Sequence, residues 1–297
     1  MLKVKTPCSS ANIGPGFDCM GIAFDIYNEF TFEKSDKNAY EGFAEKYCND
    51  NNLVYKSYKT ATEMLGKTPF SLKIGFKGEI PAARGLGSSS TCIVAGVAAA
   101  YHFAGVDYTK NDIAKIAGII EGHPDNVAAC VYGGFVDTVF VEDDGQEKLL
   151  AEKFHIDESF NFYVLIPDFE LSTKQSREVL PKSFPLTTAK KNIANIPLLI
   201  RAFERGDCEL LKFASEDWLH QPYRGGIIPE FFDICKQARE LGACAVFLSG
   251  AGPTILVVSA KEIGDGLKKV AADKQNVWTL KKVNVDFDGL KIEKQFK

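Results

Sequence analysis

The sequence predicts an α+β protein folded in two units, residues 1–155 and 156–297, and three observations carry that prediction. At 297 residues the chain is long enough for one large or two medium domains. Short apolar strands alternate with helical patterns along its length, which suits two packed layers in each unit. Between two strong strands, the acidic "EDDG" and the charged "QEKLLAEK" behind it interrupt the apolar pattern and put the boundary near residue 155.

The elements follow in order. "KVKTPCSSANIGPGFDCMGIAFDIYNEFTF" reads as strand, glycine-rich loop, strand. "EKYCNDNNLVYKSYKTATEML" has helical spacing, with Leu53, Tyr58, Ala61 and Leu65 among its apolar positions, and "FSLKIGFKGEIP" is a strand. In "PAARGLGSSST", residues 81–91, two glycines run into three serines and then into the apolar "CIVAGVAAAY". Serine is poor inside a helix but good in its first turn, where hydroxyls satisfy orphan N–H groups. The helix is therefore expected to start among Ser88, Ser89 and Ser90 and to run to about Phe103.

"NDIAKIAGII" shows an Asn cap before a helical apolar face, and "VYGGFVDTVFVEDDG" is a strand ending in an acidic turn. The second half opens on the strand "FNFYVLIPD" and a short helix or loop, "STKQSREVLP". Helices are expected around 188–205, 207–219 and 229–241. "ACAVFLSGAGPTILVVSA" is two strands joined by a glycine turn, and "EIGDGLKKVAADK" and "VWTLKKVNVDF" supply a last helix and strand.

Composition excludes several classes. With 45% hydrophobic and 25% charged residues the chain is of ordinary globular type. A formal net charge of −4 leaves no cation excess for a nucleic-acid backbone, although a small anionic substrate needs only one or two arginines. "MLKVKTPCSSANIG" lacks the apolar run of a signal peptide and no stretch reaches transmembrane length, so a cytoplasmic protein without membrane contact is expected. The eight cysteines are scattered, with no C-x-x-C pair and no zinc-type cluster; most are expected to be reduced thiols acting as small hydrophobes.

Chemistry concentrates in a few motifs. A glycine turn opening onto a helix N-terminus is a natural phosphate cradle. "PAARGLGSSST" has that form without a Walker lysine, since none occurs between Lys77 and Lys110. A glycine turn capping a core helix is the plainer alternative. "EGHPDN" sets Glu121, His123, Asp125 and Asn126 in one turn, where they could hold a metal, orient a hydroxyl or accept a proton, or else form a solvated Asx turn. "SSANIGPGFD" offers Asn12 and Asp18 on a polar glycine loop. Arg177 in "STKQSR" and Arg224 in "HQPYR" are either solvated charges or, if they converge, a forked grip for a carboxylate. "SGAGPT" reads as a turn between strands.

In this order, "PCSSANIGPGFDCMGIAF", "IPAARGLGSSST", "EGHPDNVAACVYGGF", "STKQSR", "QPYR" and "SGAGPT" make nearly the whole chain similar to the kinase superfamily that joins galactokinase, homoserine kinase, mevalonate kinase and phosphomevalonate kinase. Within it the sequence resembles the homoserine kinase family, for which "EGHPDN" with "QPYR" is the discriminating pair. The resemblance implies an N-terminal ribosomal-protein-S5-domain-2-like unit and a ferredoxin-like C-terminal unit, with the active site in the cleft between them. It also implies ATP- and Mg2+-dependent phosphorylation of the side-chain hydroxyl of L-homoserine to O-phospho-L-homoserine, for threonine synthesis.

Residue by residue, the resemblance implies that Pro81, Ala82, Ala83, Arg84, Gly85, Leu86, Gly87, Ser88, Ser89, Ser90 and Thr91 hold the ATP phosphates and that Asn52 lies beside adenine. Ser89 and Glu121 become the magnesium ligands. Asn12 and Asp18 take the amino end of homoserine, Arg177 and Arg224 its carboxylate. Thr173, His123, Asp125 and Asn126 fall near the reacting hydroxyl. Mevalonate kinases pair the loop aspartate with an N-terminal lysine. Ser9 stands at that position here, which argues against mevalonate and leaves open whether Asp125 abstracts the proton or only orients the hydroxyl. Another hydroxy amino acid such as L-threonine is the alternative substrate, and a catalytically silent nucleotide-binding relative the alternative in kind. The partners implied are the two small molecules, with a homodimer as the candidate assembly.

Overall fold

The computed structural model describes residues 1–294. Strand β1 (Leu2–Ala11) pairs antiparallel with the long β2 (Met20–Lys34), and residues 12–19 form the loop between them. At its start β1 alternates, with Leu2 and Val4 buried and Lys3 and Lys5 turned toward Glu29. From Thr6 on every residue is buried, because Cys8 and its neighbours are covered on the second face by the C-terminal half of the chain. Beyond β2 the sheet continues through β4 (Leu72–Gly78) to the short parallel strand β3 (Ala39–Glu41). β5 (Phe135–Asp143) pairs with the first residues of β2 and with β6 (Gln146–Phe154).

Helices α1 (Leu53–Met64), α2 (Ser88–Ala104), α3 (Lys110–Glu121) and α4 (Asp125–Tyr132) cover this sheet. α2 is apolar on all sides and is accordingly buried from Ile93 to Tyr101. α1 crosses it closely: a Cβ at Gly96 would sit 2.5 Å from the Val54 carbonyl oxygen.

The second sheet is fully antiparallel, in the order β10 (Trp278–Val283), β7 (Asn161–Pro167), β9 (Ile255–Ser259), β8 (Ala245–Leu248). Both faces of β7, β8 and β9 are covered, so these strands read as nearly unbroken apolar runs, whereas the edge strand β10 is largely exposed between Trp278 and Val283. Phe162, Val164, Phe247 and Leu256 face α6 (Leu186–Arg205), α7 (Cys208–Ala214) and the first sheet. Tyr163, Leu165, Val246 and Val257 face α9 (Phe231–Glu240) and α10 (Gly264–Ala272). Phe203 of α6 joins the two halves, its ring meeting Phe135 from the first sheet, Phe162 and Phe247 from the second, and Phe160 just before β7. Two short helices, α5 (Thr173–Glu178) and α8 (Gln221–Gly225), edge the cleft between the halves. Among the described residues no helix is long and apolar enough to cross a membrane.

The predicted α+β class holds, and the departures from the sequence reading are local. The cap of α3 is Thr109, which forms a reciprocal capping box with Asp112, so "NDIAKIAGII" begins inside the helix and Asn111 is not its cap. The first turn of α2 is not capped by serine hydroxyls: Gly87, in the left-handed region, precedes Ser88, and the hydroxyls of Ser89 and Ser90 turn to Glu121 instead. "EDDGQEKLLAEK" spans the end of β5, the turn and the far arm β6 of a hairpin. Asp144 (φ 51°) and Gly145 (φ 72°) make the tight turn, and Leu149 is the one side chain of β6 held buried. The helix expected over 207–219 ends at Ala214. The tail adds a strand that periodicity missed, β11 (Lys291–Lys294), paired with β1. Cys208 and Cys244, 36 residues apart, form a disulfide, while the other six cysteines are free thiols.

Candidate active site

The 81–91 loop enters α2 through left-handed residues at Ala83, Gly85 and Gly87. The first helical bond runs from Thr91 N to Gly87 O, so the N–H groups of Ser88, Ser89 and Ser90 lack intrahelical acceptors at the positive end of the helix dipole. No side chain fits at Gly87, where a Cβ would lie 2.1 Å from Ser9 Oγ. Two braces hold the loop. Arg84 donates to the carbonyls of Pro167 (2.9 Å) and Asp168 (2.7 Å), and Ser249 Oγ donates to Gly85 O at 2.5 Å. The "SGAGPT" turn is thus a buttress for the phosphate-type loop.

Ala83, Arg84, Gly85, Gly87, Ser88 and Ser89 face the cleft. Leu86, Ser90 and Thr91 are buried behind the loop, where Thr91 Oγ1 accepts from Asn28 Nδ2; Ala82 faces a neighbouring hollow, and Pro81 flanks the loop.

At the other end of α3, Glu121 Oε1 accepts from Ser89 Oγ at 2.7 Å and from Ser90 Oγ at 3.4 Å. Burial raises the Glu121 carboxyl above its ordinary value, against the lowering effect of those hydroxyls. His123 Nδ1 lies 2.7 Å from Asp125 Oδ1, which also accepts from Asn126 N at 2.7 Å. Burial opposes charge on His123, but the hydrogen bond and charge of Asp125, helped by Glu121 and Asp18, outweigh it and raise the imidazole above its usual range. Asn126 Oδ1 accepts from Ser9 Oγ at 2.9 Å, which fixes the direction of its amide.

The β1–β2 loop supplies the opposite wall. Asn12 (φ 59°) and Asp18 (φ 58°) are both left-handed, and Asn12 Oδ1 accepts from Asp18 N at 2.7 Å. Arg177 forks onto Asp18 at 2.9 and 3.0 Å. Arg224 is fully buried; it donates to Ser176 O and Gly250 O, both at 3.2 Å. Both guanidiniums lie over Phe17, 5.9 Å and 5.1 Å from its ring centre. Burial brings the Arg224 value down to about 10, with Asp18 opposing, so it stays charged at neutral pH.

The cleft-facing residues of the loop line one cleft of about 240 Å3 with Glu121, His123, Asp125, Asn126, Asn12, Asp18, Arg177 and Arg224, together with Thr173 at the start of α5. A second hollow of about 280 Å3 shares Ala83, Ser88 and Ser89 with it and is walled by Phe43, Tyr47, Leu53, Phe76, Ile80 and Cys92. Asn52 lines this hollow, but its polar atoms serve α1: Oδ1 accepts from Val54 N and Nδ2 donates to Tyr47 O. The aromatic wall was not read from the sequence, because its residues come from three separate segments with no common motif. Leu171, Ser172, Gly250, Ala251 and Gly252 also line the cleft, the last four from "STKQSR" and "SGAGPT", whose sequence pattern carries no signal for these residues as site members.

Ser89 and Glu121 offer a hydroxyl and a carboxylate oxygen on adjoining helix ends, a hard-oxygen pair that suits a divalent cation such as magnesium. Asp18, His123 and Asp125 also bring ligand atoms within 4.8 Å of one another, but Arg177 already engages Asp18.

Two family models match separate stretches of the chain. Residues 52–134 match the family described as GHMP kinases N terminal domain, and residues 199–273 match GHMP kinases C terminal. The chain is 40% identical over 290 residues to a homoserine kinase of Clostridium botulinum, covering 96% of each chain. It is 38% identical over 297 residues to one of Clostridium beijerinckii, covering 98% of each. The crystal structure of homoserine kinase from Cytophaga hutchinsonii superposes with a TM-score of 0.82 at 28% identity, over 98% of this chain and 97% of that one. Both halves of one kinase family thus occur in order along a chain whose relatives align almost end to end, and the chain belongs to the GHMP kinase family, among its homoserine kinases.

Proposed function

We propose that the cleft transfers the γ-phosphoryl group of ATP to the side-chain hydroxyl of L-homoserine. The observation that carries this reading is the charge layout of a single cleft: two arginines and a carboxylate at one end, free helix N–H groups with Ser89 and Glu121 at the other. The relatives of near-full length that bear the homoserine kinase name support it. In this reading Arg177 and Arg224 take the α-carboxylate, Asp18 and Asn12 take the ammonium, and the aromatic hollow takes adenine. The N–H groups of Ser88 to Ser90 receive the phosphates at the helix end. Ser89 and Glu121 hold magnesium, which neutralises charge on the phosphates when bound.

Phosphoryl transfer asks for positioning and charge stabilisation more than covalent help. Asn126, aimed by Ser9, and Asp125, steadied by His123, direct the substrate hydroxyl at the phosphorus. The bond from the γ-phosphorus to the bridging oxygen breaks as the bond to the hydroxyl oxygen forms. The hydroxyl proton goes either to Asp125 Oδ2 or to the transferred phosphoryl. Asp125→Asn separates these routes: a modest loss with an unchanged pH profile speaks for the second. The cut near residue 155 belongs to the same proposal, supported by the first sheet's last sequential strand ending at Phe154 and the second sheet starting at Asn161, with β11 returning to the first. A cytoplasmic setting and a homodimer remain expectations from the sequence reading.

The deciding experiment measures turnover of ATP with L-homoserine, L-threonine and mevalonate in parallel, with the product identified by phosphorus NMR. Homoserine should lead. Activity on another of the three and none on homoserine overturns the substrate, and ATP binding without turnover on any of them overturns the activity.

A further inference from the structure

Asp217 lies outside the cleft and in no motif singled out above. Its side chain is entirely withdrawn from solvent and surrounded by donors. Oδ1 accepts from Asn192 Nδ2 (2.8 Å) and Leu219 N (2.9 Å); Oδ2 accepts from His220 N (2.9 Å) and Gln221 N (2.7 Å). Taking a carboxylate out of water is costly, and four donors are about what is needed to offset it. Its consequence is geometric. The turn from Asp217 to Gln221 is fixed, and with it the entry to α8, whose fourth residue is Arg224.

The same network reaches the other half of the molecule. Asn192, oriented by Asp217, approaches Pro15 O at 3.5 Å. His220, whose backbone N–H is held by Asp217 and whose Nε2 lies 3.5 Å from it, donates from Nε2 to Gly14 O at 3.2 Å. The His220 ring stacks on Phe17 at 5.3 Å and 21°, and Phe17 in turn lies beneath Arg177 and Arg224. The loop that carries Asn12 and Asp18 therefore rests on two side chains that one carboxylate holds in place.

We infer that Asp217 is a positioning residue for the amino-acid end of the cleft, setting the Asn12–Asp18 loop and Arg224 in register with each other while leaving the nucleotide end untouched. It acts through Asn192 and His220 and touches no substrate. The inference rests on the proposed substrate reading for its kinetic consequence, but not for its structural one.

The test pairs kinetics with amide hydrogen exchange on Asp217→Asn. An amide can accept on one oxygen only and turns N–H groups toward donors, so part of the network must open. Expected are a homoserine KM raised about tenfold or more, an ATP KM within about twofold of the parent, and faster exchange at residues 13–18 with no change at 81–91. Should Asp217→Asn fail to fold, His220→Phe keeps the stacking partner but loses the bond to Gly14 O, and His220→Gln restores a donor. The first should raise the homoserine KM and the second should recover most of it. Unchanged exchange at 13–18, or homoserine and ATP KM values rising together, overturns the inference. If the parent enzyme itself does not turn over homoserine, the substrate reading falls, and the exchange pattern alone judges the role of Asp217.

Discussion

The two ends of the cleft are built on different principles. On the proposed reading, the phosphate-binding part of the nucleotide end is nearly contiguous: residues 83–90 supply the loop and the free helix N–H groups, and Glu121 is the main addition from elsewhere. The donors it offers are mostly backbone N–H groups, so residue identity matters chiefly where a side chain must be absent, as at Gly87. The amino-acid end is assembled from five segments, around Asn12–Asp18, His123–Asn126, Thr173–Arg177, Arg224 and Gly250–Gly252. Its contacts are charged side chains paired across the two halves, as in the fork of Arg177 on Asp18. The first kind of site is braced by a few bonds, such as Ser249 to Gly85. The second depends on packing far from the ligand.

Four measurements break or sharpen that contrast. The largest effect is expected from Glu121→Gln, which removes the acidic partner of Ser89: kcat at saturating homoserine should fall on the order of a hundredfold or more, and near-normal turnover would rule out its metal role. Next comes Arg177→Ala. Losing a forked charge-assisted contact should raise the homoserine KM about 10- to 100-fold and leave the ATP KM almost alone; a parallel rise in both would erase the distinction between the ends.

Gly87→Ala addresses the nucleotide end. At φ 67°, with Ser9 Oγ 2.1 Å from the new Cβ, it should lose about 1–3 kcal/mol of stability in denaturant melts and raise the ATP KM more than the homoserine KM. An unshifted midpoint would show that the loop can yield.

The smallest effect is in pH dependence, where the two buried-side histidines should move oppositely. His220 is pushed below its ordinary value by burial, and by Arg224, against the pull of Asp217. Its contribution to stability is therefore present above the unfolded value of about 6.5 and is lost as pH falls toward the lowered folded value. His123 is raised, so its contribution is full below about pH 6.5 and is lost as pH rises through the raised folded value. Proton NMR titration of the two imidazoles should place His123 above and His220 below 6.5; the same midpoint for both would remove this electrostatic difference between cleft and interior.

What the sequence determined by itself follows from local physics. Alternation and turn chemistry were enough for the α+β class, since strand, helix and glycine turn are set by neighbours a few residues apart. "PAARGLGSSST" and "EGHPDN" were legible because each gathers its chemistry within one turn, and the family resemblance rested on such short strings. The turn at Asp144 and Gly145 was also local, yet the charged arm behind it hid a strand in which Leu149 alone is buried.

Tertiary structure alone decided the rest. It brought Arg177 onto Asp18 across 159 residues, joined Cys208 to Cys244, walled the hollow beside Ser89 with Phe43, Tyr47 and Phe76, and gave Asp217 its four donors. None of these leaves a periodic trace, because an ion pair between distant segments, an aromatic wall or a held carboxylate is specified by which surfaces meet in space. A chain pattern records only which surfaces exist.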